Sequence, residues 1–139
     1  MPVSVPMSAR RATYLDSSAI VKLVVHEAES AALARYLRGR RPLVASALAR
    51  VEVHRVSLSL GPLVKARADE VLEHIELIRI NERVLSVAGS LLPPDLRSLD
   101  AIHLATASLL GGSLGRVVTY DDRMADAARA LGWTVVSPA

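Results

Sequence analysis

The chain has 139 residues, which matches one ordinary domain and is long enough to bury a hydrophobic core. It contains no cysteine, which excludes disulfide bonds and thiolate metal sites and is compatible with a reducing cytoplasm. Aromatic residues make up only 3%, which disfavours base stacking as the main binding mode, and the net charge of +3 is compatible with a polyanionic partner without requiring one.

The sequence predicts neither a membrane span nor a secretory signal. Lys22 interrupts the apolar residues 19–25, and no stretch approaches the roughly 20 apolar residues that cross a bilayer. Residues 1–11 contain two prolines and two arginines but lack the apolar segment of a signal peptide. We therefore expect residues 1–11 to form a flexible tail, residues 12–139 to form a single domain, and the protein to be cytoplasmic.

Short β-type segments alternate with longer helical segments along the chain. The predicted strands are 12–15, 43–45, 77–80, 116–120 and 133–136. The predicted helices run from Ser17 or Ser18 to about 25, and over 27–38, 47–60, 64–76, 82–91, 99–110 and 122–131. This alternation favours an α/β fold in which helices cover both faces of a mainly parallel sheet.

Two acidic residues follow predicted strands. Asp16 comes after the first strand and Asp121 after the fourth. Ligands of parallel sheets gather beyond the carboxyl ends of the strands, so both residues point to a site at that edge. Each also has an ordinary structural interpretation, because aspartate is a favoured N-cap residue of helices.

A third acid, Glu52, lies on or beside the apolar stripe of its predicted helix, between Leu48 and Val56. A carboxylate in that position is costly unless something compensates it. A salt bridge to an arginine such as Arg50 or Arg55 is one interpretation, and a bound metal ion is the other.

The fourth acid, Asp100, lies in the first turn of a predicted helix, where the helix dipole favours negative charge. Small residues surround it, which indicates that this helix approaches other backbone closely. His103 follows one turn later, and either lines a site or is a structural residue with satisfied hydrogen bonds. The structural interpretation is preferred for His103.

Together, Asp16, Glu52, Asp100 and Asp121 suggest a site for a hard divalent cation. Clustered carboxylates raise each other's pKa unless a cation lies among them. Oxygen ligands without cysteine suit Mg²⁺ or Mn²⁺, which can activate water and neutralise charge in phosphodiester hydrolysis. An acidic site in a basic protein therefore predicts metal-dependent cleavage of a polyanion.

Four segments resemble motifs of VapC-type PIN domains, in the expected order. They are YLDSSAIVKL at 14–23, ARVEV at 49–53, LDAIHLATA at 99–107, and VTYD at 118–121 followed by a closing VVSP at 135–138. The resemblance covers about residues 12–138. Each motif is weak alone, but all four at domain-wide spacing are quite specific.

The resemblance implies a PIN-like three-layer α/β/α sandwich and a Mg²⁺- or Mn²⁺-dependent endoribonuclease. The positions that match its acidic catalytic and metal-binding residues are Asp16, Glu52, Asp100 and Asp121. Thr119 matches a small hydroxylated residue that supports the site through hydrogen bonds, and Ser17, which follows the first acid, is expected to do likewise. The Thr-x-Asp spacing selects Asp121 over its neighbour, which leaves Asp122 as a helix N-terminal charge or an outer support.

The resemblance further implies cleavage of single-stranded or looped RNA, neutralisation by a VapB-like antitoxin, and a homodimer. The predicted helices 47–60 and 64–76 are apolar enough to offer contact surfaces, although a core face is the ordinary interpretation. The basic turn of Arg38, Arg40 and Arg41 is a candidate phosphate-binding surface, and a solvated loop is the alternative.

Other acidic α/β folds fit less well. A haloacid-dehalogenase-type phosphatase needs a second acid where this chain has Ser18, and a receiver domain needs an acidic pair near the first strand. A PIN nuclease of RNA processing that is not a toxin, or a non-catalytic RNA- or protein-binding PIN module, remains an alternative. The acids at all four positions argue against the non-catalytic module.

Overall fold

A computed structural model describes residues 11–139, so the predicted tail, except Arg11, lies outside the described residues. The strands are β1 (Ala12–Leu15), β2 (Leu43–Ser46), β3 (Glu76–Ile78), β4 (Leu114–Val118) and β5 (Val135–Val136). The α-helices are α1 (Ser17–Val24), α2 (Ser30–Leu37), α3 (Leu48–Leu58), α4 (Pro62–Glu73), α5 (Glu82–Ser90), α6 (Ser98–Ser108) and α7 (Asp122–Ala130). None of the helices over 11–139 is long and apolar enough to cross a membrane.

The strands form one sheet in the order β3-β2-β1-β4-β5, and every neighbouring pair is parallel. The chain builds outward from β1 to β3 and then returns to place β4 on the other side of β1. The carboxyl ends of β1 and β4 therefore flank a topological switch point, where open α/β sheets bind ligands. The predicted α/β class is confirmed, and the sheet is wholly parallel.

Helices cover both faces of the sheet because side chains alternate along each strand. Leu15 of β1 packs into a buried cluster with residues of α1–α4, including Ile20 and Val53. Its neighbour Tyr14 packs on the opposite face, in a cluster that contains Ala107 of α6. The three-layer arrangement is thereby confirmed, with α1–α4 on one side and α5–α7 on the other.

Several element boundaries differ from the sequence-based expectations. Helix α2 begins at Ser30 and not at residue 27, because the Ser30 hydroxyl accepts the Glu27 N–H and donates to the Val25 carbonyl. Helix α4 begins two residues early, at Pro62, whose fixed φ and missing N–H suit the first helical position. Strand β5 is shorter than predicted, since the Trp133 N–H bonds to the end of α7.

Candidate active site

The N-terminal ends of four helices converge beyond the carboxyl edge of the sheet. Asp16 caps α1, Asp121 caps α7, Asp100 lies in the first turn of α6, and Glu52 is the fifth residue of α3. All four line one cavity of about 400 Å³. The structure thus brings together the four acids singled out in the sequence, and the helix dipoles reduce the cost of placing their negative charges close together.

Asp16 is buried and held by three donors, with only 3% of the residue exposed. Its Oδ1 accepts hydrogen bonds from the Ser18 hydroxyl at 2.6 Å and the Ala19 N–H at 3.0 Å, and its Oδ2 accepts the Thr119 hydroxyl at 2.5 Å. Burial raises the pKa of Asp16, against the lowering effect of these hydrogen bonds. The Asp16 carboxylate is therefore held in one position, shielded from water and well suited to bind a cation.

Thr119 and Ser18 join β4 to the start of α1. The Thr119 oxygen that donates to Asp16 also accepts the Asp121 N–H at 3.1 Å, so one hydroxyl ties two of the acids together. The Ser18 oxygen accepts the Tyr120 N–H at 2.9 Å while it donates to Asp16. The sequence pointed to Thr119 as a supporting residue, but the comparable contacts of Ser18 were missed.

Glu52 is compensated by Ser17 and His103 in place of the arginines considered from the sequence. The Ser17 hydroxyl donates to Glu52 Oε1, and His103 Nε2 lies 2.8 Å from the same oxygen. Burial is the largest influence on the pKa of Glu52 and raises it, but the hydrogen bonds from His103 and Ser17 and the histidine charge together lower it. Glu52 is therefore kept ionised at neutral pH.

His103 is both a satisfied buried residue, as preferred from the sequence, and a member of the cavity lining. Its Nδ1 lies 2.8 Å from the Tyr14 hydroxyl, which itself accepts the Ser46 N–H at 3.2 Å. Because Nε2 faces a carboxylate oxygen of Glu52, which can only accept a hydrogen bond, this nitrogen carries a proton. That proton points to Glu52.

Arg97, the residue before α6, is a part of the cavity that sequence reasoning missed. Its Nε donates to Asp100 Oδ2 at 2.9 Å, and one of its Nη atoms donates to Asp121 Oδ2 at 2.7 Å. The hydrogen bond to Asp100 is the largest cause of a raised Arg97 pKa. The i,i+3 spacing to Asp100 was a usable signal, whereas the contact with Asp121 depends on the fold.

Asp122 lies outside this cavity. It is exposed at the first position of α7, where a negative charge suits the helix dipole. Asp121, one residue earlier, lines the cavity and caps the helix through the Arg123 and Met124 N–H groups.

The structure does not bring Arg38, Arg40 and Arg41 to the acidic cavity. They precede β2 and so lie at the amino edge of the sheet, whereas the acids lie beyond its carboxyl edge. Arg40 stacks on the Tyr36 ring at 4.0 Å, and an Nη atom of Arg41 lies 3.5 Å from the His74 carbonyl oxygen. A phosphate-binding role for these arginines stays a prediction, and it would concern a surface remote from the acids.

The cavity suits a divalent cation by its donor chemistry. Its acidic groups are hard oxygen donors of the kind that Mg²⁺ and Mn²⁺ prefer, and Arg97 already holds a positive charge between Asp100 and Asp121. Over residues 11–139, no three histidine or acidic side chains are already grouped as a ready set of metal ligands.

Known proteins share both sequence and fold with this chain. Residues 13–130 match the PIN domain family. Ribonuclease VapC46 of Mycobacterium tuberculosis is 59% identical over 127 residues, which cover 91% of this chain and 98% of the relative. Ribonuclease VapC35 of the same species is 43% identical over 129 residues, covering 90% of this chain and 96% of the relative.

A solved structure shares the fold of this chain. The crystal structure of M. tuberculosis VapC20, a toxin that cleaves the sarcin–ricin loop, matches with a TM-score of 0.70 and 18% identity. The match covers 91% of this chain and 99% of that one, and at this identity it shows the shared fold alone. The sequence relatives and the family match decide the assignment: the chain belongs to the PIN-domain family and, within it, to the VapC ribonucleases.

Proposed function

We propose that this chain is a Mg²⁺- or Mn²⁺-dependent endoribonuclease that acts in the cytoplasm as a VapC-like toxin. The observation that carries the proposal is the meeting of Asp16, Glu52, Asp100 and Asp121 in one cavity at the switch point of the sheet. Membership in the VapC ribonucleases supports the same activity.

Asp16, Asp100 and Asp121 would hold the metal ion, and Glu52 would bind it directly or through water. When bound, the ion lowers the pKa of water and neutralises negative charge on the phosphate being cleaved. Asp16 offers a fixed charge because three hydrogen bonds immobilise it. Asp100 and Asp121 share one counter-ion, the half-exposed side chain of Arg97.

Glu52 would orient the attacking water. The Nε2 proton of His103 and the Ser17 hydroxyl are both directed at Oε1, which leaves Oε2 as the acceptor for a water molecule. Attack by that water on phosphorus breaks the bond to the 3′ oxygen, which takes up a proton. The products are a 3′-hydroxyl and a 5′-phosphate on single-stranded or looped RNA.

Paired asparagine variants test the assignment. We expect Asp16→Asn and Asp121→Asn to lose at least about 100-fold in cleavage of a labelled RNA with Mg²⁺ present, because each removes a cavity charge. Asp122→Asn is the matched control, since it makes the same chemical change one residue outside the cavity. Unchanged cleavage by Asp16→Asn, or equal losses in Asp121→Asn and Asp122→Asn, would contradict the proposed site.

We also propose that the chain forms a homodimer and is neutralised by a VapB-like antitoxin. Helices α3 and α4 place Val53 and Val71 in the core, yet they and their connecting turn expose Leu58, Leu60 and Leu63 at 64%, 47% and 86%. Exposed apolar side chains grouped in this way favour a protein contact. A second surface, the acidic cavity itself, would be covered by a segment of the antitoxin.

Light scattering of the free chain tests the dimer. We expect the unmodified chain to be a dimer and the Leu58→Glu/Leu63→Glu variant to be a monomer. Leu85 lies on α5 and is 48% exposed, so Leu85→Glu is the control and should remain dimeric. Co-expression with the neighbouring reading frame tests the antitoxin, through a stable complex in which RNA cleavage is suppressed. A free chain that is monomeric at all concentrations, or a neighbour that neither binds nor inhibits, would count against the corresponding part.

A further inference from the structure

Arg97 links two acids that belong to different helices. Its guanidinium bridges Asp100 at the start of α6 and Asp121 at the start of α7, with donor–acceptor distances of 2.9 and 2.7 Å. Within residues 11–139, it is the one lysine or arginine that lines the acidic cavity. A single cation therefore already occupies the position between two of the four carboxylates.

The exposure of these side chains indicates that the bridge can open. The Arg97 side chain is 55% exposed, whereas its acidic partners are 11% and 27% exposed. The guanidinium can thus move toward water without burying its charge. Asp100 and Asp121 would stay in place, because they are fixed to their helices. Their mutual repulsion would then remain until another cation replaced the arginine.

We propose that Arg97 is an internal counter-ion that the divalent cation displaces from Asp100 and Asp121, and that the displaced guanidinium then contacts a phosphate of the RNA. This inference rests on the proposed function. The two acids that Arg97 bridges are ones that the proposed function assigns to the metal. The bridge turns Asp100 and Asp121 toward the arginine.

The chemistry of the guanidinium supports the second step. Its planar set of N–H donors matches the oxygen atoms of a phosphate in the same two-pronged way that it matches carboxylates. The residue lies at the cavity and is half exposed, so a small side-chain movement is sufficient to reach a bound polyanion. The basic turn at the amino edge of the sheet is too remote to supply this contact.

Calorimetric titration with Mn²⁺ tests the displacement without measuring activity. We expect Arg97→Gln to bind Mn²⁺ on the order of tenfold more tightly than the unmodified chain, because two partly exposed ion pairs no longer compete with the metal. Arg97→Lys keeps the charge but not the planar set of N–H donors, so its Mn²⁺ affinity should lie between those of the unmodified chain and Arg97→Gln. Arg129→Gln is the matched control: it removes an arginine paired with Asp126 on the exposed side of α7.

The outcomes of this titration separate the inference from the proposed function. If Arg97→Gln binds Mn²⁺ no more tightly than Arg129→Gln, while Asp16→Asn abolishes binding, the counter-ion role is wrong and the metal site stands. If neither the unmodified chain nor Arg97→Gln binds Mn²⁺, the proposed metal dependence fails and the inference fails with it. If Arg97→Gln binds Mn²⁺ more tightly, and adding Asp16→Asn to that variant removes the binding, the result supports both the counter-ion role and the metal site.

The phosphate contact is tested by the salt dependence of RNA binding. A fluorescent single-stranded oligoribonucleotide is titrated in a Glu52→Gln background, which suppresses cleavage, with and without Mn²⁺. We expect Arg97→Gln to reduce the log–log salt slope by about 0.7 with Mn²⁺, as for one lost phosphate contact. Without Mn²⁺ the slope should not change. An unchanged slope with Mn²⁺, or the same reduction in Arg129→Gln, would overturn the contact.

Discussion

The Tyr14 hydroxyl lies 2.8 Å from Nδ1 of His103, and this contact connects the buried face of the sheet to the acidic cavity. Tyr14 is 1% exposed, and burial is the main reason that its pKa is raised well above the usual value. The phenol is therefore neutral and available as a donor. It holds the His103 ring with Nε2 directed at Glu52, so that a core residue determines the orientation of a cavity acid.

Removing this hydroxyl should weaken both stability and activity. Tyr14→Phe removes the partner of His103 Nδ1 and the hydroxyl that accepts the Ser46 N–H, so we expect a loss of about 1–3 kcal/mol in the free energy of unfolding. Cleavage should fall several-fold, because His103 can then turn or change tautomer. Urea denaturation and single-turnover cleavage measure the two effects.

Tyr120→Phe is the control for that experiment. Its hydroxyl donates to the Pro138 carbonyl oxygen at 2.6 Å and does not contact the cavity acids. We expect a stability loss of similar kind but no change in cleavage. If the two variants lose activity in parallel with stability, Tyr14 acts only through folding and not through His103.

The pH dependence of the free energy of unfolding should reveal the cost of burying the ionised Asp16 carboxylate. Its pKa in the folded state is raised, chiefly by burial, above the usual 3.8. A raised carboxyl pKa means that ionisation opposes folding, so the destabilisation is absent below the unfolded pKa, grows between the unfolded and folded pKa values, and is fully present above the folded one. Asp16→Asn should therefore stabilise the metal-free chain at neutral pH and lose that advantage near pH 3.8 and below.

Urea denaturation of both chains between pH 3 and 8, with a chelator present, measures this difference. Glu52→Gln provides a contrast, because the pKa of Glu52 is lowered in the fold. Ionised Glu52 stabilises the fold above its usual value of 4.5, and that contribution is lost as pH falls through the folded pKa. A stability difference for Asp16→Asn that is constant with pH would contradict the argument.

Much of the site could be predicted because its residues follow simple rules of position. Asp16 comes directly after β1 and Asp121 follows shortly after β4, and parallel topology then places both at the same edge of the sheet. Asp100 carried a local signal as well, since acids are favoured in the first turn of a helix. The order and spacing of the motifs indicated the other residues of the site.

Contacts between distant segments could not be predicted in the same way. Glu52 was recognised as needing compensation, but its partners come from α1 and α6, at sequence separations of 35 and 51. Among side chains, local reasoning offered only neighbouring arginines as partners, beside a bound metal ion. Arg97 was missed for a related reason: its contact with Asp121 spans 24 residues and exists only because α6 and α7 begin at the same cavity.

Metal should stabilise the fold if the acids hold it. At a free Mn²⁺ concentration 100 times the Kd, binding adds about 2.7 kcal/mol to the free energy of unfolding, which raises the melting temperature by several degrees. Differential scanning fluorimetry with and without a chelator measures the shift. Asp16→Asn should abolish it, and Asp122→Asn should leave it intact. No shift in the unmodified chain would favour a non-catalytic binding module over a nuclease.

Thr119 should matter through its hydroxyl and not through its shape. Thr119→Val keeps the volume but removes the donor to Asp16 and the acceptor for the Asp121 N–H. Because both partners are then unsatisfied near the core, we expect a loss of about 1–3 kcal/mol in the free energy of unfolding and weaker Mn²⁺ binding.

Thr119→Ser distinguishes the hydroxyl from simple packing. Serine restores the oxygen but removes a methyl group from a fully buried position, so the variant loses stability by a different route. Mn²⁺ affinity and cleavage should return close to the unmodified levels in Thr119→Ser, while Thr119→Val stays impaired. If the serine variant is as poor as the valine variant in Mn²⁺ binding, the methyl contact and not the hydrogen bond positions Asp16.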